Sequence, residues 1–388
     1  MSRLYLILTI GIATAGCTEL DIKRVDAEIT SISPDAAVPG STITIMGSNF
    51  TTDAVVSFGN TEAEIISVES NQMEIRVPTS LSPSSTVLKI DAQGAPASIN
   101  FEVLPFFAER TRHPDNAFDG TGFVLNDVLY FGMGGAPWYQ YNANSDTWTP
   151  MTANNAGPNK YGAIGIAING KGYVLGVGTD NELWEYNPST QNWTMKSEYP
   201  NNQLLIPAVF AIGTNLYLAT GYHDGITNEV WKYSTIDDEW TQINNFAGVK
   251  RGDAVGFEIN GTGYVGQGYD FDTNSLLNDF FAYNTTSDTW TEISAPLNPS
   301  ANLEGGVGFS LGGKGYIGLG RNGNVPVKDF WKYNPADDSW LQFTTYPGNG
   351  VMEVQAFVVG NKVYLINGSS EVFAEDYVEM WEFTPETF

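Results

Sequence analysis

Cysteine and histidine are nearly absent from this 388-residue chain: it has one cysteine, Cys17, and two histidines, His113 and His223. A single thiol cannot form an intrachain disulfide, and so few soft ligands exclude a Cys/His zinc cluster. Cations are scarce too. Lys plus Arg total 18 against 44 Asp plus Glu, a formal charge of −26. Nucleic acid is therefore excluded as a partner, because phosphate binding needs surplus positive charge. Electrostatic docking on an anionic bilayer is excluded for the same reason. There is no Ser-His-Asp order, no metal triad and no nucleotide-binding loop, and nothing in the sequence asks for a cofactor or a metal. Beyond the N-terminus no apolar run reaches membrane-spanning length.

Aromatic residues and glycine are abundant instead: 21 Phe, 19 Tyr, 10 Trp and 41 Gly, with only 16% charged residues. That is the composition of an all-β protein with many turns, and the length allows two or three domains.

Residues 1–16, MSRLYLILTIGIATAG, place Arg3 before a short apolar stretch and end in small residues ahead of Cys17. This resembles a bacterial lipoprotein signal peptide, although Thr14 replaces the usual Leu. The resemblance implies lipidation of Cys17, a linker over 17–26, and a membrane contact made through the acyl anchor alone. The acidic start Thr18-Glu19-Leu20-Asp21 resembles the surface-export signal of Bacteroidetes-type lipoproteins. The expected location is the bacterial envelope, as an outer-membrane lipoprotein exposed at the surface.

Residues 27–104 alternate apolar and polar residues over short runs separated by turns, as in Ile43-Thr44-Ile45 and Met73-Glu74-Ile75-Arg76-Val77. About seven strands in this length suit an immunoglobulin-like sandwich. Ser31-Ile32-Ser33-Pro34, Pro39-Gly40 and Gly47-Ser48-Asn49-Phe50 resemble the IPT/TIG family, whose domains in bacterial surface proteins imply a spacer.

Residues 105–388 repeat. Tyr141 and Trp148, Tyr186 and Trp193, Tyr233 and Trp240, Tyr283 and Trp290, and Tyr333 and Trp340 share one spacing. Upstream lie hairpins such as Ile168-Asn169-Gly170-Lys171-Gly172-Tyr173, whose Asn-Gly turn needs positive φ. A sixth unit has Trp381 and Phe383, but the chain ends before another Trp. Each unit reads as four antiparallel strands that bury their faces only by stacking round an axis. The pattern resembles the kelch family. The expected fold is therefore all-β, an IPT/TIG sandwich followed by a six-bladed kelch-like β-propeller, with seven blades as the alternative. Leu104-Pro105-Phe106-Phe107 is expected to supply the outer strand that seals the ring.

In this topology the loops entering each innermost strand share a face with the loops between second and third strands. All four propeller arginines, Arg110, Arg112, Arg251 and Arg321, fall in those segments. So do His113, Lys160, Tyr161, Tyr222, His223, Tyr269, Glu304 and Glu353. Arginine forks grip carboxylates and aromatic rings cover sugar faces, so this set points to a saccharide, an acidic one included. Arg251 also fits a structural position just before an inner strand. The ten tryptophans all fall at repeat positions and are assigned to packing. Asp270-Phe271-Asp272-Thr273-Asn274 begins like a calcium loop but lacks its later ligands, and is read as an acidic loop. Copper-radical galactose oxidase chemistry, found in other kelch propellers, is excluded because Cys17 lies outside the propeller.

These features favour binding over catalysis: a monomeric surface lipoprotein whose propeller takes a glycan or a surface protein. The alternatives are a sugar-ring enzyme resembling the sialic-acid mutarotases, with His113, His223, Glu304 or Glu353 as acid and base, and a purely structural envelope component.

Overall fold

The computed structural model describes residues 25–92, 94–115, 120–132, 137–153, 157–158, 162–177, 181–201, 204–297, 303–348, 351–366, 369–370, 375–376 and 379–385. Cys17, Lys160 and Tyr161 lie outside the described residues. The described residues contain strands and turns and no helix. The chain divides between Val103 and Leu104 into two units.

The first unit is an immunoglobulin-like sandwich. One sheet orders the strands Glu28–Ser33, Thr42–Ser48, Gln72–Arg76 and Glu64–Val68. The other orders Ala36–Ala37, Ala97–Val103, Ser84–Asp91, Val55–Phe58 and Thr61–Glu62. Alternation decides what goes inside: Ile43, Ile45, Val56, Phe58, Met73, Ile75, Leu88, Ile90 and Phe101 are buried in one cluster.

The second unit is a six-bladed propeller. Blades 1 to 5 are continuous in sequence, and their innermost strands are Thr121–Leu125, Ile164–Ile168, Ala208–Ile212, Val255–Ile259 and Val307–Leu311. Blade 6 takes Gln355–Val359, Lys362–Ile366 and Met380–Phe383 from the C-terminal end, and its outermost strand, Phe107–Arg110, from the propeller's beginning. The closing strand thus starts at Phe107, at the end of the segment expected from the sequence. Phe107 pairs with Phe383 across the ladder, and their rings stack at 4.7 Å. Each innermost strand lies beside the next, and the sixth lies beside the first, so the ring is closed.

One aromatic contact recurs at every blade boundary. A tyrosine on the second strand of each blade meets the third-strand tyrosine, or phenylalanine, of the next. The pairs are Tyr130–Tyr186, Tyr173–Tyr233, Tyr217–Tyr283, Tyr264–Tyr333, Tyr316–Phe383 and Tyr364–Tyr141, with ring centroids 5.3 to 6.2 Å apart. Within each of blades 1 to 5 the repeated Tyr and Trp face each other across the outer ladder at 4.8 to 5.1 Å. None of the ten tryptophans is exposed, in line with their packing role.

The hairpin motif has two separate causes. Asn169 and Gly170 turn with φ of 52° and 73°, and Asn260 and Gly261 with 49° and 85°, as a mirror-type turn requires. The glycine two residues later answers to the neighbouring blade. A Cβ on Gly172, Gly263 or Gly315 would enter the ring of Phe123, Phe210 or Phe257 from the preceding blade.

A polar clasp fastens four of the boundaries on the outer side. Asp146, Asp238, Asp288 and Asp338, in the turn before each outermost strand, accept the hydroxyl of their own blade's Tyr141, Tyr233, Tyr283 or Tyr333. The same carboxylates accept the backbone N–H of Thr111, Ser197, Asn244 and Ser294, which follow the preceding blade's outermost strand. At three of these boundaries a Trp indole N–H donates back to that segment's carbonyl: Trp148 to Thr111, Trp240 to Ser197 and Trp340 to Ser294.

Candidate functional site at the channel mouth

The six innermost strands enclose a central channel of about 800 Å³. Its mouth is framed by the segments entering the inner strands and by the loops between second and third strands. Bridges Leu205↔Tyr222, Gly252↔Tyr269 and Glu304↔Arg321 tie the two kinds of segment together, so they share one face as the topology requires. Gly221, Gly268 and Gly320 lie where each loop crosses the inner strand, at φ of 90°, 90° and 81°. Their N–H groups donate to the carbonyls of Arg251, Leu303 and Val351, in the entering segment of the next blade. The crossing brings backbone so close that a Cβ there would strike it.

Two residues before the inner strands of blades 2 to 6 the chain turns left-handed, at Gly162, Ile206, Asp253, Gly305 and Glu353, with φ between 48° and 61°. These residues approach the channel at its mouth. The N–H of Asp253 donates to the Ile206 carbonyl at 3.3 Å and that of Glu353 to the Gly305 carbonyl at 2.9 Å. Ile206, Asp253 and Glu353 line the channel, and none of the described lining residues is basic. Beside Asp253, the ring of Phe271 and the aliphatic side chain of Ile206 close over the bare Cα of Gly252. Phe271 is 44% exposed and stands edge-on to Tyr269 at 5.0 Å. Asp253 was missed in the sequence; the signal was positional, the second residue before each inner strand.

Of the residues singled out in the sequence, Tyr222, His223, Tyr269, Glu304, Arg321 and Glu353 come together on this face. Arg321 Nε donates to Glu304 Oε1 at 2.7 Å, over a backbone bridge in which each residue's N–H reaches the other's carbonyl. His223 Nε2 lies 3.0 Å from Glu229 Oε2, an oxygen that also accepts the Trp231 indole N–H. Asp270 accepts the N–H of Asp272 and Thr273 and the Thr273 hydroxyl, so its carboxylate shapes the loop carrying Phe271.

Arg110, Arg112, His113 and Arg251 lie elsewhere, which corrects the picture of an arginine rim. Arg251 is fully buried. Its guanidinium forks onto Asp279 at 2.6 and 2.9 Å and donates to the carbonyls of Val249 and Gln267. It therefore fastens the loop bearing Tyr269 and Phe271 and presents nothing to a ligand. Arg110 is spent on Glu382 inside blade 6. Arg112 is exposed, but it follows the outermost strand of blade 6, next to the clasp at Thr111.

His113 is 3% exposed and packs against Phe131, Tyr139 and Trp148 at 4.9 to 5.3 Å. It sits six residues after Phe107, just as Tyr199, Phe246 and Tyr346 sit six after Trp193, Trp240 and Trp340. Those three rings seat on Trp240, Trp290 and Trp381 of the next blade. His113 is thus a packing histidine, and burial pushes its pKa down to about 4 despite the pull of Asp115.

Comparison with known proteins follows the same division. Residues 27–103 match the IPT/TIG domain family. Part of the chain is similar to the N-acetylneuraminate epimerases of Shigella flexneri serotype 5b (strain 8401) and Escherichia coli (strain K12). Each is 27% identical over 156 residues, covering 37% of this chain and 40% of the relative. The protein of that name from Shigella sonnei (strain Ss046) is 30% identical over 123 residues, covering 28% and 32%. The matches thus span well under half the length of these relatives. A solved structure titled "Structure of YjhT" superposes with a TM-score of 0.58 at 16% identity, over 68% of this chain and 93% of that one. The chain is an IPT/TIG sandwich followed by a kelch-type propeller.

Proposed function

We propose that this protein is a lipid-anchored component of the bacterial envelope whose propeller binds a glycan at the channel mouth. The observation that carries the reading is the placement of a half-exposed aromatic ring, Phe271, beside Asp253 at the rim of an open channel. An aromatic face takes the apolar side of a pyranose, and a neighbouring carboxylate takes its hydroxyls. Arg321 at this mouth is already committed to Glu304, so the reading rests on the aromatic ring and the carboxylate rather than on an arginine fork. Similarity to proteins named N-acetylneuraminate epimerases supports a sugar ligand. A glycan array followed by calorimetry tests this. Phe271→Ala weakens binding of any hit about tenfold or more, and a chain that takes no glycan overturns the reading. Acyl labelling that is lost in Cys17→Ser tests the anchor.

A second reading, ring opening of a free sugar, is favoured by the two carboxylates at equivalent mouth positions, Asp253 and Glu353. One would protonate the ring oxygen while the other takes the proton of the anomeric hydroxyl. NMR exchange between anomers of a bound sugar separates enzyme from binder.

A further inference from the structure

Five inner strands carry phenylalanine as their third residue, Phe123, Phe210, Phe257, Phe309 and Phe357, and each is at most 6% exposed. Blade 2 has Ile166 there, and neither Ile166 nor Ile164, two residues before it, is fully buried. The cause lies in the strands they face. Where blades pack closest, as between 1 and 2 or 3 and 4, the second residues of the inner strand and of the strand after it are both glycine: Gly165 with Gly172, Gly256 with Gly263. A Cβ on Gly165 or Gly256 would strike the backbone of the preceding inner strand. Blade 3 has Val209 and Leu216 at these two places. The inner strands of blades 2 and 3 are accordingly the most widely separated neighbours in the ring.

The result is a wedge that opens from the channel. Ile164 and Ile166 form one wall and Val209 and Ala211 the other; all four line the channel and pack onto one apolar cluster. Neither inner strand, Ile164–Ile168 or Ala208–Ile212, carries a charged or hydroxyl side chain, so a water in the wedge would find few partners. An apolar path reaches it from the rim. Leu205, 40% exposed, and Ile206 lead into the inner strand of blade 3 and line the channel. Ile206 holds a φ of 48°, where blades 2 and 5 have glycine, and that is a strained value for a β-branched residue. Its side chain lies over Gly252 beside the Phe271 ring.

We propose that this wedge binds a short aliphatic chain. On the glycan reading, on which this part rests, the chain is carried by the sugar at the rim. The pyranose covers Phe271, the chain passes Ile206, and its end lies between Ile166 and Val209. Removal of methylenes from water drives the seating. Asp253 and Glu353 at the mouth oppose a carboxylate head, so a free fatty acid is not the carrier.

Calorimetric titration of the full chain with 1-hexanol, and with methyl, butyl and hexyl β-D-glucosides as monomers in solution, tests it. The expected result is saturable binding of one hexanol per chain, and a gain of about fourfold in glucoside affinity for each added methylene. Two variants fill the wedge. Ile166→Phe, opposite Leu216, copies the pairing of Phe357 with Leu129 between blades 6 and 1, and Ala211→Leu narrows the wedge from blade 3. Each is expected to lower the affinity for hexanol by about tenfold or more while thermal melting shows a folded chain. Absence of saturable hexanol binding, or unchanged hexanol affinity in both folded variants, overturns the wedge. Hexanol binding with no gain along the glucosides upholds the wedge and overturns the sugar as carrier of the chain, so the failure then falls on the glycan reading.

Discussion

Arg110 and Glu382, 272 residues apart in sequence, are joined by hydrogen bonds of 2.9 Å inside blade 6. Glu382 is only 4% exposed and also takes Lys362 Nζ at 2.6 Å and the Tyr364 hydroxyl at 2.9 Å. One carboxylate therefore ties the beginning of the propeller to its end and satisfies three donors.

Glu382→Gln leaves two cations against an amide. Arg110 and Lys362 keep 27% and 39% exposure, so the loss is set at about 2 kcal/mol, below that of a fully buried pair. A fall of several degrees in Tm is expected by thermal denaturation, and an unchanged Tm would remove the closing role assigned to this pair.

Acid should loosen the outer clasps. Burial opposes the charge on Asp238, but the Ser197 N–H, the Tyr233 hydroxyl and Lys196 outweigh it and hold the pKa down to about 2. The folded value lies below the unfolded one, so the contribution is complete above the ordinary carboxylate range and drains as pH falls towards 2. Urea denaturation at pH 7, 4 and 2.5 should show Asp238→Asn already weakened at pH 7, with a shallower acid decline than the wild type. Parallel declines would show that this clasp does not titrate as described.

His113 works in the same direction over a higher range. Its folded pKa, about 4, lies below the free value of 6.5. The unfolded chain therefore binds the extra proton first, and stability drops as pH falls from about 6.5 to 4. His113→Phe fills the seat with the ring type found at Phe246. The variant should gain on the wild type as pH goes from 8 to 5, read as the difference in Tm at each pH. A difference that stays constant across that interval means His113 is not the group responsible.

The repeat and the ring were legible because packing enforces them. Tyr141 and Trp148 have counterparts in four other blades, and each such pair must meet its neighbour to leave water. The arginines were misjudged for a related reason. Segments entering the inner strands carry both the mouth and the anchors beneath it, and sequence position does not tell Arg251, buried on Asp279, from Arg321 on the surface bridge. His113 escaped alignment because its reference residue is Phe107 rather than a tryptophan. That substitution belongs to the one blade assembled from both ends of the propeller. Asp253 carries no motif, and only the closed ring brings it and Glu353 to the mouth of one channel.

The strand Phe107–Arg110 is synthesised first in the propeller and used last. At ribosomal speeds of roughly 5–20 residues per second, its partner Met380–Phe383 emerges about 15–50 s later. For that interval the strand, with Phe107 uncovered, has two open edges and no sheet to join, the condition that invites pairing with other chains. A truncation that removed Met380–Phe383 would make that condition permanent, leaving blade 6 without the strand that joins the two ends of the ring.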